Sequence, residues 1–223
     1  MIDIVSATRL SKDEFWDKSA LGLSLSRFAG DSRLSNRIAF SNDRGLPERY
    51  NFCINAEDSA EILVFVHDDV WLDDFYFADR VIEGLRHYDV IGVAGNRRRV
   101  TQQRAWLYAG ADFYWDVPNL SGAVAHGPSF FGSVTFFGPT PADCELLDGV
   151  LIAAKVSTLR EHGLTFDPRF KFHFYDMDFC RSARKKGLRL GTWPIALTHQ
   201  SAGSFGSESW QAGHRAYLEK WGD

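Results

Sequence analysis

Cysteine is scarce in this chain: Cys53, Cys144 and Cys180 are the only ones, widely spaced and with no CxxC pair. That excludes a disulfide framework and a cysteine zinc site. Long hydrophobic runs are missing too. No apolar stretch reaches the roughly 18 residues that a membrane-crossing helix needs. The opening Met1-Ile2-Asp3-Ile4-Val5 lacks the basic start and apolar centre of a signal peptide, so the expectation is a reduced, cytoplasmic protein. Positive charge is not in excess either. The formal net charge is −4, and the one basic run, Arg97-Arg98-Arg99, is short and reads as a solvated loop. Nucleic acid is therefore not an expected partner.

What is present is ordinary in bulk and unusual in one respect. A chain of 223 residues, 45% hydrophobic and 24% charged, suits one globular α/β domain. Aromatics stand at 14%, with 18 Phe and 7 Trp. They read either as a Phe-rich core or as a platform on which the C–H faces of sugar rings pack.

Strand and helix alternate through the first hundred residues. Ile2 to Ala7 reads as a strand. Ser11-Lys12-Asp13-Glu14 has capping-box spacing, opening a helix that carries Phe15, Trp16, Ala20 and Leu23 inward. Arg37 to Ser41 reads as a second strand and Tyr50 to Ala60 as a helix. Ile62-Leu63-Val64-Phe65-Val66, apolar without alternation, fits a strand buried on both faces. A helix with Phe77, Val81 and Leu85 on one side follows, then a strand from Val90 to Ala94. Such alternation predicts βαβ units and an open, mostly parallel sheet, with ligands beyond the carboxyl ends of the strands. Asn42-Asp43, His67-Asp68-Asp69 and Gly95-Asn96-Arg97 all sit at such ends.

From Val100 to Cys144 glycines break the pattern, which reads as loops and short antiparallel strands. Order returns over Leu146 to Ala153. Helices are expected over Val156 to His162 and Asp176 to Lys186, stopped by Gly163 and Gly187. An extended segment from Leu188 to Thr198 follows. Trp210, Tyr217 and Trp221 read as a packing tail, an acceptor lid or a contact with another chain.

Three clusters carry candidate chemistry. Asp68-Asp69, after a buried strand, suits Mg²⁺ or Mn²⁺; otherwise it is a solvated loop with an acid, or Asp73 or Asp74, capping the next helix. Asp176 stands where a helix begins and is either an N-cap or a general base. His199, ahead of a Gly/Ser segment, is either structural or the completion of a site begun by Asp69.

Taken together, Ile62 to Val70 (ILVFVHDDV), Leu147 to Ala154 (LDGVLIAA), Phe170 to Arg189 (FKFHFYDMDFCRSARKKGLR) and Pro194 to Ser204 (PIALTHQSAGS) resemble the family 2 glycosyltransferases of the GT-A fold, over about residues 2 to 221. The resemblance implies a single GT-A, Rossmann-like α/β domain over 1–223: a mostly parallel central sheet flanked by helices, with a small antiparallel portion. Residues 1–99 would form the nucleotide-binding half and 100–223 the acceptor and sugar half. It implies a metal-dependent, inverting, hexosyltransferase-type enzyme using Mn²⁺ or Mg²⁺ and a nucleotide-diphospho-sugar, a UDP-sugar first among them. The acceptor would be a glycan, lipid-linked or protein hydroxyl. Asp69 and His199 fall on the metal positions and Asp176 on the catalytic base. Asp68 falls towards the ribose or metal. Ala7, Thr8, Arg9, Asn42 and Asp43 fall where such proteins hold the base, and Asp148 and Gly149 where sugar or acceptor sits. His67 stands where the family usually has aspartate, and Tyr175 where it has glutamate. These departures leave open a non-catalytic nucleotide- or glycan-binding module of the same fold. The His67-Asp68 pair also raises a metal-dependent phosphohydrolase.

Overall fold

The computed structural model describes residues 1–201 and 205–222; the Gly/Ser segment expected after His199 falls at 202–204, outside them. The first strand, β1 (Ile2–Ala7), is buried along its whole length. The capping box forms as expected at Ser11, opening α1 (Lys12–Lys18). One continuous helix does not result. Ser19 stops α1 and caps α2 (Ala20–Arg27), its hydroxyl accepting from the Gly22 amide at 2.9 Å. Leu23 consequently ends up half-buried, not inward.

The next elements lie a few residues ahead of where their apolar residues place them: β2 is Leu34–Ala39 and α3 is Leu46–Asn55. Pro47 in the first turn of α3 explains the early start, since proline lacks the amide that a helix leaves free there. Then come β3 (Ile62–Val66), β4 (Val70–Leu72), α4 (Phe77–His87), β5 (Val90–Gly92) and β6 (Ala94–Asn96). The apolar run at Val90 to Ala94 is therefore two strands, and they belong to different sheets.

The glycine-broken middle is indeed mostly antiparallel, with β7 (Leu120–His126) paired to β8 (Ser133–Gly138), followed by β9 (Ala142–Cys144). The remainder is β10 (Leu146–Leu147), β11 (Leu151–Lys155), α5 (Val156–Glu161), α6 (Tyr175–Lys185), β12 (Leu190–Thr192), β13 (Leu197–His199) and α7 (Glu208–Trp221). Gly163 and Gly187, at φ +53° and +80°, follow α5 and α6 in the left-handed region that favours glycine.

Seven strands form the main sheet in the order β2-β1-β3-β11-β5-β12-β9. Its β2-β1-β3 half is parallel, and β11 runs antiparallel between β3 and β5. The second sheet runs β10-β6-β7-β13-β4, with β8 on the far side of β7. Both sheets contribute to one continuous apolar core. The helix at the end of the chain is anchored from inside. Asp178 on α6, fully buried, accepts from Lys220 Nζ at 2.9 Å and from Trp221 Nε1 at 2.9 Å. Tyr217 and Trp221 pack α7 against the core, while Trp210, also buried, reaches the cleft described below. No helix among the described residues is long and apolar enough to cross a membrane.

Candidate active site

The two sheets meet at a cleft of about 580 Å³. The turn between β3 and β4 delivers His67, Asp68 and Asp69 into it, and β13 delivers His199. His199 is held by pairing on both sides, opposite Val70 of β4 and beside His126 of β7. Its Nε2 lies 3.2 Å from Asp69 Oδ1, and the Gln200 amide donates to the Asp69 carbonyl at 2.9 Å. Burial would raise the Asp69 carboxyl, but the hydrogen bond and charge of His199 outweigh it and hold the group well below the usual carboxylate range. The same bond lifts His199 above its ordinary value against the opposing effect of burial.

His67 is the third member of this cluster. One ligand atom from each of His67, Asp69 and His199 lies within 4.8 Å of the others. Reading His67 as no more than a lost carboxylate misses this. Its tautomer follows from its neighbours. Tyr175 donates its single hydroxyl proton to the Gly149 carbonyl at 2.8 Å, so the 2.9 Å contact between Tyr175 Oη and His67 Nε2 needs an N–H on His67. Nδ1 is then the free lone pair, and burial keeps the ring neutral by pushing its pKa down. An imidazole oriented by an outer hydrogen bond is the usual arrangement of a metal-binding histidine. Two imidazoles and one carboxylate suit a divalent first-row ion such as Mn²⁺, and the donor set fits Mn²⁺ better than the all-oxygen preference of Mg²⁺.

Asp176 lies in the first turn of α6, half-buried and lining the same cleft. It is not the N-cap, which is Phe174 in a left-handed conformation at φ +66°. Its Oδ2 accepts the Gly149 amide at 3.0 Å and its Oδ1 the Met177 amide at 2.9 Å. Burial, followed by the charge of Asp148, pushes its pKa up to about 7. Gly149 must be glycine, because a Cβ there would run into the Tyr175 hydroxyl and come within 3.0 Å of the Asp176 Cβ. Asp148 lines the cleft and turns the chain by accepting the Val150 amide at 2.9 Å.

The structure therefore brings together Ala7, Asp68, Asp69, Asp148, Gly149, Asp176 and His199. Thr8, Arg9, Asn42 and Asp43 are not among the cleft-lining residues. They form the adjoining turn, where the Asn42 amide donates to the Thr8 carbonyl at 2.8 Å, while Arg9 and Asp43 are exposed. Neither Asp68 nor Asp69 caps α4, whose preceding residue Tyr76 instead donates its amide to Asp74 at 2.8 Å. The His67-Asp68 pair ends a buried strand, unlike the helix-borne pairs of the phosphohydrolases it suggested.

Another part of the cleft lining is aromatic. Trp106, Tyr108, Trp115, Phe137 and Trp210 form it, together with Arg104. Among these only Trp210 stands out in the sequence reading, because the others sit in a stretch whose periodicity the glycines erase.

Comparison of the whole chain with known proteins agrees with this architecture. No family model matches the sequence, and no curated protein does. Solved structures do match. GalNAc-T7 with UDP, GalNAc and Mn²⁺ aligns at a TM-score of 0.56 and 10% identity, over 98% of this chain and 47% of that one. The mannosyltransferase PcManGT from Pyrobaculum calidifontis, with GDP-Man and Mn²⁺, aligns at 0.50 and 13% identity, over 98% of this chain and 64% of its own. The chain has the GT-A glycosyltransferase fold. It spans about half the length of GalNAc-T7.

Proposed function

We propose that this protein is a metal-dependent, inverting glycosyltransferase that moves a sugar from a nucleotide-diphospho-sugar, with UDP the first nucleotide to test, to an acceptor hydroxyl. The observation that carries the reading is the convergence of His67, Asp69 and His199 beside Asp176 in one cleft of this fold. The Mn²⁺ and nucleotides of the two neighbours above support it. His67, Asp69 and His199 would hold the ion, which supplies charge stabilisation to the departing diphosphate. Ala7 and the adjoining turn of Thr8, Arg9, Asn42 and Asp43 would receive the base, with Asp68 towards the ribose. Asp148 and Gly149 would frame the transferred sugar.

Asp176 is the base in this reading. The acceptor oxygen forms a bond to the anomeric carbon as the bond from that carbon to the phosphate oxygen breaks. The hydroxyl proton passes to the Asp176 carboxylate, and the electron pair leaves with the nucleoside diphosphate. Attack from the face opposite the leaving group inverts the centre. A carboxyl pushed up to about 7 suits this role, because a base works best near the operating pH. Asp176 must be ionised to accept the proton, so transfer rises as pH increases through about 7.

The test is Asp176→Asn, assayed for sugar transfer and, by calorimetry, for UDP binding with Mn²⁺. Transfer should fall by about 10²–10⁴-fold and lose its rise with pH, while binding stays. Transfer at near wild-type rate would remove Asp176 as the base. Tight UDP binding by the unaltered protein with neither transfer nor donor hydrolysis would make this a binding module instead.

A further inference from the structure

Arg104 stands out once the charges of the cleft are traced to their partners. Its neighbour on the same loop, Arg98, is paired to Asp116 through two 2.7 Å hydrogen bonds. Arg104 has no ion pair among the described residues, and its Nε is buried without an acceptor. A buried N–H left unpaired is costly and uncommon. The loop that carries it is firmly built. Buried Gln103 donates to the Trp106 carbonyl at 3.2 Å and the Tyr108 carbonyl at 2.9 Å, and Asn96 donates to the same Trp106 carbonyl at 2.9 Å. Phe113 lies against the guanidinium, its ring centroid 4.8 Å from Cζ. Trp210 packs on Phe113 at 6.1 Å and stacks on His214, whose Nε2 is a second buried nitrogen without a partner.

We propose that Arg104 is an anion anchor: it receives a phosphate or carboxylate group of a bound substrate on the aromatic wall of the cleft, separate from the His67-Asp69-His199 cluster. This rests on the reading above only in taking the cleft as the place where substrates bind. A guanidinium resting over an aromatic ring is restrained in position, and its terminal N–H groups can donate to such an oxyanion as arginine favours. The anion could arrive as the diphosphate of the donor or as an acidic group of the acceptor, and the two sources are separable by experiment.

Calorimetric titrations would compare wild type, Arg104→Gln, Arg104→Lys and Arg86→Gln, the last an exposed arginine on α4 outside the cleft. The probes are UDP with Mn²⁺, uridine with Mn²⁺, and inorganic phosphate in the presence of a chelator. If the anchor takes the donor's diphosphate, Arg104→Gln weakens UDP by roughly ten- to a hundred-fold and leaves uridine unchanged. If it takes the acceptor's anion, UDP is unchanged and the phosphate binding of the wild type disappears. Arg104→Lys, which keeps the charge and the packed stem, should recover part of either loss and guards against misfolding of the glutamine variant. Arg86→Gln should match wild type. Phosphate binding lost in Arg104→Gln, with no UDP binding in any variant, would uphold the anchor and sink the nucleotide-sugar reading. Equal binding of UDP and phosphate by wild type and both Arg104 variants would overturn the anchor, as would a wild type that binds neither.

Discussion

The two walls of the cleft are built on opposite principles. The wall carrying His67, Asp69 and His199 is made of strand ends, and each side chain is fixed by backbone pairing or a short polar bond. The aromatic wall, carrying Arg104, Trp106, Tyr108 and Trp115, belongs to a loop region with almost no regular structure and several exposed rings, among them Phe113, Tyr114 and Trp115. The ordered wall suits chemistry that tolerates little displacement. The aromatic wall suits selection among partners, because ring faces accept many sugar orientations. Shape on one side and preorganised charge on the other would divide the labour of the site.

That division can be broken from either side. The largest effect is expected at the ordered wall. Asp69→Ala should weaken Mn²⁺ binding by roughly a hundred-fold or more, beyond what loss of an outer-shell partner costs, as read by calorimetric titration with the metal. Unchanged Mn²⁺ affinity would exclude the cluster as the metal site. Tyr175→Phe comes next. It removes the hydroxyl that orients His67 and that also donates to the Gly149 carbonyl, so Mn²⁺ affinity should fall by roughly 10–100-fold and the melting temperature by about 2–8 °C. No loss would mean that His67 does not ligate through the tautomer its hydrogen bonds impose. The smallest effect belongs to the aromatic wall. Trp115→Ala should raise the acceptor KM by about three- to ten-fold with kcat nearly constant. A fall in kcat alone would place Trp115 nearer the reacting atoms than this division allows.

Much of the ordered wall was legible in the residues. Ile62 to Val66 announces itself as a strand buried on both faces, and the acids after it fall in the cleft as expected. The stops at Gly163 and Gly187 are equally plain, because left-handed glycine leaves a local signature. Less visible was β4, three residues long and too short for any period to show. His67 was hidden for a different reason. Its role depends on Tyr175, 108 positions away, and on where the hydroxyl proton goes. α7 escaped notice because what fixes it is the buried carboxylate of Asp178 on another helix. Arg104 carries no signal in the sequence, since an orphaned nitrogen can be recognised only after its surroundings are built.

One bond outside the cleft lining bears directly on His199. Thr198 sits immediately before His199 and is fully buried; its hydroxyl donates to Asp73 Oδ2 at 2.6 Å and accepts the Gly132 amide at 3.0 Å. Neighbouring positions on a strand point to opposite faces, so a slip of one place would carry the threonine into the opening and turn the imidazole away. The Asp73 carboxylate therefore works as a peg that sets the alignment of the strand, and a side chain with no chemistry of its own decides which way the histidine looks.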